Sequence, residues 1–143
     1  MRFLTPAALA LALGAGLLAA APAWAQGGDG QPSLFGKWRN PKDSVHLEIK
    51  PCAQGACGYV VWASAKAQAD AREGGTENLI GLQLFRSFTP REKGVWKGKV
   101  FVPDLNRTFT GAAEPLDNRR LRAKGCFIGN VLCKSQIWTR IES

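Results

Sequence analysis

The chain has a single histidine among its 143 residues. One histidine, His46, excludes the multi-histidine metal centres and leaves acid–base chemistry only through a neighbouring carboxylate. The candidate partner, Glu48, lies two residues on in an alternating stretch, where a His–Glu pair reads as solvated strand surface. No phosphate loop, zincin helix or dinucleotide fingerprint occurs. Ser44, Ser64, Ser87 and Ser135 lack the glycine frame of a nucleophile elbow. Asp70, Glu73 and Glu77 form no calcium-ligand ladder, and Asp104 after Pro103 reads as a turn-maker. These absences argue against an enzyme, a metal site or a cofactor. Helical periodicity is nearly missing, and beyond Ala25 no apolar run is long enough to cross a bilayer. Negative charge is also scarce. There are 11 acidic residues against 19 basic ones, for a formal net charge of +8. That balance favours anionic surfaces, although an exported chain without an aromatic–basic motif is a poor candidate for nucleic acid.

Export follows from the N-terminus. Met1-Arg2 is a short positive region, Phe3 to Ala20 is apolar, and Ala23 and Ala25 offer the small residues a signal peptidase reads. This predicts a signal peptide over residues 1–25, removed in a periplasmic or secreted protein. Residues 26–33 are expected to be a flexible leader and residues 34–143 one domain. A core of that size often needs covalent support. Four cysteines in the domain, Cys52, Cys57, Cys126 and Cys133, point to two disulfides rather than zinc or a redox pair, given the compartment and the spacing.

The remaining sequence alternates between apolar and polar residues. Val45, Leu47 and Ile49 share one strand face, and His46, Glu48 and Lys50 the other. Eight strands are expected: 35–39, 44–50, 58–63, 79–88, 95–102, 107–113, 119–127 and 132–141. The turn clusters between them suggest hairpins, hence an all-β antiparallel meander closed into a barrel without edges. Residues 64–78 break the alternation and read as a long mobile loop with at most a helical turn.

The cysteines test the register. If Cys52 and Cys57 are directly opposed, Lys50 faces Tyr59 and Leu47 faces Trp62, so Trp62 points inward with Leu47, Ile49 and Val60. The same pairing of Cys126 with Cys133 sets Ala123 opposite Gln136 and Leu121 opposite Trp138. Trp138 and Arg140 then lie inside, and Arg122, Lys124, Ser135 and Ile137 outside. Trp96 shares a face with Val100 and Val102. A barrel of about eight strands has room for packed side chains or for one small ligand, so Trp62, Trp96 and Trp138 either fill a core or line a pocket.

Two resemblances are carried by these residues. Gly36-Lys37-Trp38 with the late Arg140 resembles the calycin pattern of lipocalins and their relatives. That resemblance implies that the tryptophan closes the barrel base, with the arginine packed across it, worth roughly 0.5–2 kcal/mol as a cation–π contact. The sequence departs from lipocalins in having no long helix after the last strand. The chain is also similar to the exported bacterial domain of unknown function 2147 over nearly all of the mature part. The match rests on Gly36-Lys37-Trp38, Cys57-Gly58-Tyr59-Val60-Val61-Trp62, Leu79-Ile80-Gly81-Leu82, Trp96-Lys97-Gly98-Lys99-Val100, Pro103-Asp104, Gly125-Cys126 and Trp138-Thr139-Arg140. Asn106 stands where that family tends to have glycine, and asparagine tolerates the left-handed backbone such a turn needs. The resemblance implies no activity.

The expectation is therefore an exported, non-catalytic, lipocalin-like barrel that takes a small apolar or amphipathic ligand through Trp62, Trp96 and Trp138. Gly36, Trp38 and Arg140 would close it. The alternative is a filled barrel in the envelope whose basic strand, Arg119, Arg120, Arg122 and Lys124, meets an anionic component.

Overall fold

The first strand, β1 (Gly36–Arg39), pairs with β2 along one edge and with β8 along the other, which closes the sheet. The computed structural model describes residues 30–128 and 131–141; the expected signal peptide and the first residues of the leader lie outside the described residues. The remaining strands are β2 (Val45–Cys52), β3 (Gly55–Ala63), β4 (Gln83–Pro90), β5 (Trp96–Val102), β6 (Arg107–Pro115), β7 (Arg120–Ile128) and β8 (Leu132–Arg140). Each pairs with its sequence neighbours, so the barrel is a plain antiparallel meander.

Closure follows from alternation. Each strand offers one apolar face, and curling the sheet hides all of these faces together while pairing every edge. Trp38, Leu34, Leu47, Ile49, Val60, Phe88 and Leu121 are fully buried. The turn before β6 behaves as its sequence suggests, with Asn106 left-handed at φ 48°.

The β2–β3 hairpin corrects the expected register. Cys52 pairs with Gly55 across a two-residue turn, and Lys50 faces Cys57 rather than Tyr59. The Cys52–Cys57 disulfide is therefore diagonal, with its Cα atoms 5.8 Å apart. A shift of two residues leaves every side chain on its face, so the inward set of Leu47, Ile49 and Val60 survives. Trp62 does not. His46 pairs with Trp62 but Leu47 pairs with Val60, leaving Val61 as an extra residue. A bulge turns two successive side chains to the same side. Val61 and Trp62 accordingly both face outward, and Trp62 is 43% exposed. Its indole lies 4.5 Å from the ring of His46. His46 in turn meets Asp43 at 2.7 Å, not Glu48. In the β7–β8 hairpin the register is as expected: Cys126 opposes Cys133, Ala123 opposes Gln136 and Leu121 opposes Trp138.

Residues 64–78 also differ from expectation. They hold a nine-residue helix, α1 (Ala65–Glu73), capped by the Ser64 side chain, which accepts from the Ala67 amide at 3.1 Å. Alanines make a good helix but no visible apolar stripe, so periodicity cannot reveal it. A serine cap and the Lys66–Asp70 pair at 2.7 Å support it locally. The segment after α1 is pinned where Thr76, buried, donates to the Pro103 carbonyl at 2.8 Å.

The leader is not free at its end. Arg140 donates to the Ser33 carbonyl at 2.7 Å and to the Phe35 carbonyl at 2.8 Å. Gly36 makes this approach feasible. It has a positive φ of 131°, and a Cβ there would collide with the Arg140 guanidinium.

Candidate functional site: an open-ended cavity

In a meander the connections alternate between the two ends of the barrel. One end holds the Cys52–Cys57 hairpin, the Arg91–Gly94 turn and the segment entering β1. The other holds the Asn40–Ser44 turn, α1, the Pro103–Asn106 turn and the tip joining β7 to β8. The first end is sealed. Trp38 is fully buried, its Nε1 donates to the Leu34 carbonyl at 3.0 Å, and Arg140 lies 4.0 Å from its ring centroid. Arg140 also donates from Nε to the Asn118 carbonyl at 2.6 Å. Burial lowers its pKa from the ordinary arginine value. Three backbone carbonyls and an indole face offset the lost hydration.

The second end is open. A cavity of about 710 Å³ runs from the rim into the upper half of the barrel. This is within the range of small-ligand sites. Its apolar walls include Val45, Leu79, Leu84, Phe85, Val100, Phe127 and Trp138. Two local features lie at this wall. The break in pairing between Arg86 and Thr89, around Ser87 at φ 52°, brings Phe85 and Phe88 into a stack at 4.8 Å. Gly125, on β7, faces inward opposite Lys134, and a Cβ added there would meet nothing within 4 Å. The missing side chain at Gly125 is part of the open space.

Polar groups enter this apolar space along one strand. By register, Lys134, Gln136 and Trp138 of β8 oppose Gly125, Ala123 and Leu121, the inward stripe of β7. Lys134 and Gln136 line the cavity toward the rim, and Trp138, only 7% exposed, lies deeper. The Trp138 Nε1 donor is buried without a hydrogen-bond partner, alone in this respect among the described residues. A buried unpaired donor costs about 1–3 kcal/mol. The rim carries Lys66, whose pKa is raised by its hydrogen bond to Asp70 and by the charge of that carboxylate. Asn40 holds the rim turn in place, accepting from the Ser44 and Val45 amides at 2.8 and 3.0 Å.

The expected site residues separate accordingly. Trp138 lines the cavity. Trp96 faces inward opposite Ala113 but lies toward the sealed end, edge-on to Phe35 at 5.8 Å and outside the cavity wall. Trp62 is on the outer wall for the reason given above. The basic strand is less available than its sequence suggests. Arg120 pairs with Asp117 at 2.7 Å and Arg122 with Glu114 at 3.0 Å. The Asp117 pKa is lowered, first by the Arg119 amide and then by the Arg120 side chain. Arg119 sits in the turn before β7, its carbonyl accepting from the Arg140 amide at 2.8 Å. Lys124 lies at the cavity rim.

Sequence reasoning missed Lys134, Gln136 and Gly125. The signal was available: extending the Ala123–Gln136 pairing by two residues places Gly125 opposite Lys134 on the inner face. Phe85 and Phe127 were hidden by the ordinariness of apolar residues in strands.

The barrel is similar to the solved structure of a Helicobacter pylori protein that belongs to the lipocalin family. The TM-score is 0.62 and the identity 13%, over 78% of this chain and 84% of that chain. At that identity the likeness establishes a lipocalin-like fold. No curated protein matches the sequence. With residues 36–140 matched by its model, the chain belongs to the family described as "Uncharacterized protein conserved in bacteria (DUF2147)".

Proposed function

We propose that the protein binds a small amphipathic molecule in the barrel cavity, without chemistry, in an oxidising compartment outside the cytoplasm. The observation that carries this reading is the apolar-walled space of about 710 Å³ that opens at one end of the barrel. Apolar walls gain from covering an apolar ligand body, at about 25 cal/mol per Å². Gln136 and Lys134 offer donors toward the mouth. A binding role rather than catalysis is supported by the placement of ionisable groups. Lys66, Asp70, Asp104, Lys124 and Lys134 lie toward the rim, whereas the deep wall is apolar. Two disulfides support the oxidising compartment.

The test is intrinsic tryptophan fluorescence and melting temperature against a panel of fatty acids, long-chain alcohols, isoprenoids and aromatic acids. Quenching or a blue shift with a rise in melting temperature is expected from part of the panel. No response from any member would refute the reading.

A further inference from the structure

At the open end, the strands β7 and β8 run on past the disulfide into an apolar tip. Val131 is 89% exposed, Ile128 66%, and Leu132 52%. Leu105, in the neighbouring Pro103–Asn106 turn, is 52% exposed. Exposed apolar side chains are normally scattered. Among the described residues, these four of the eight large exposed ones stand on two adjacent connections at one end. Cations surround them. Lys124 and Lys134 flank the tip on β7 and β8, and Arg107 begins β6 beside Leu105. None of the three has an ion-pair partner among the described residues. Of the carboxylates at this end, Asp43 meets His46 and Asp70 meets Lys66 at 2.7 Å each, whereas Glu73, Glu77 and Asp104 form no ion pair among the described residues.

We infer that this tip docks the open end of the barrel onto an anionic phospholipid bilayer. Apolar side chains on a short projection, backed by unpaired lysine and arginine, suit an interface in which the former enter the acyl boundary and the latter meet headgroup phosphates. The Cys126–Cys133 bridge ties the two strands together at the base of the tip and keeps its side chains presented together. The charge pattern selects a bilayer over an apolar protein groove, because that groove would have to desolvate three unpaired cations. The docked pose brings the cavity mouth to the membrane surface, so a lipid-soluble ligand can enter without crossing water. Docking itself does not depend on what the cavity holds.

Vesicle co-sedimentation of the mature, disulfide-bonded protein tests this, with phosphatidylcholine alone and with a quarter of phosphatidylglycerol. Binding to the anionic vesicles only, weakened by salt, is expected. Val131→Asp is expected to lower partitioning at least about tenfold, and Lys124→Gln about fivefold. The folded state is checked by an unchanged melting temperature, to which a solvent-exposed side chain contributes little. Cavity binding by Val131→Asp, read by tryptophan fluorescence, separates failure here from failure of the ligand reading. Equal partitioning by wild type and Val131→Asp overturns the inference. So does equal binding to the uncharged vesicles. A wild-type dimer converted to monomer by Val131→Asp also overturns it, making the tip an interface between copies.

Discussion

The guanidinium of Arg140 stacks 4.0 Å from the ring centroid of Trp38 while its nitrogens hold the carbonyls of Ser33, Phe35 and Asn118. One side chain thus ties the last strand to the segment entering the first and covers the indole that plugs the sealed end. Arg140→Lys keeps the charge but has no planar fork to reach three acceptors. We expect a loss of about 2–3 kcal/mol by chemical denaturation, with cavity binding retained in the folded fraction. A neutral result would remove the closing role of this residue.

Gly36 serves the same closure through its missing Cβ. Gly36→Ala would combine a positive φ with a collision against Arg140, and it is expected to destabilise by about 2 kcal/mol or more. The double variant Gly36→Ala/Arg140→Ala should lose less than the sum of the two single losses, because the collision is gone.

Trp138→Phe removes the unpaired indole donor while keeping an aromatic wall. The ligand-free protein is expected to hold its stability or gain up to about 1 kcal/mol, since a buried donor no longer goes unmet. Ligand affinity should fall by about threefold or less, for hydrocarbons and acceptor-bearing ligands alike, because the wall loses a little apolar area while the indole N–H has no surface open to the cavity. Trp62→Phe, on the outer wall, should leave both unchanged. Loss of affinity with Trp62→Phe would return that residue to the site.

Gly125→Leu should fill part of the cavity without displacing any neighbour, because its Cβ enters open space. The expected outcome is lost ligand response at a melting temperature equal to or above wild type. Retained binding would place the ligand elsewhere.

Acid should loosen the turn before β7. Asp117 accepts from the Arg119 and Arg120 amides at 2.8 Å each, and its pKa is lowered below 3.8. A lowered carboxylate pKa stabilises the fold above the unfolded value and loses that contribution as the pH falls through the folded one. The Arg119 and Arg120 amides should therefore lose hydrogen-exchange protection only below about pH 4. In Asp117→Asn that step should be absent.

Much of this was legible in the residues. Strict alternation with turn clusters specifies eight paired strands, since only that arrangement hides one face of each. The directly opposed Cys126 and Cys133 set the β7–β8 register, and Asn106 marks a left-handed turn. Trp62 was misplaced because a bulge adds one residue without altering the apolar pattern on either side of it. The helix α1 was missed because alanine favours a helix without marking its buried face.

The order of the strands and the cysteine partners were determined by local chemistry: side-chain period, turn propensity and covalent reach; closure by Trp38 and Arg140 was implied by the family resemblance of Gly36-Lys37-Trp38 and the late arginine. Whether the barrel is full or hollow was decided only by the assembled structure. That outcome depends on where Phe85, Gly125 and Trp138 meet across strands distant in sequence. Volume left between side chains is a property of their packing and of no single stretch of chain.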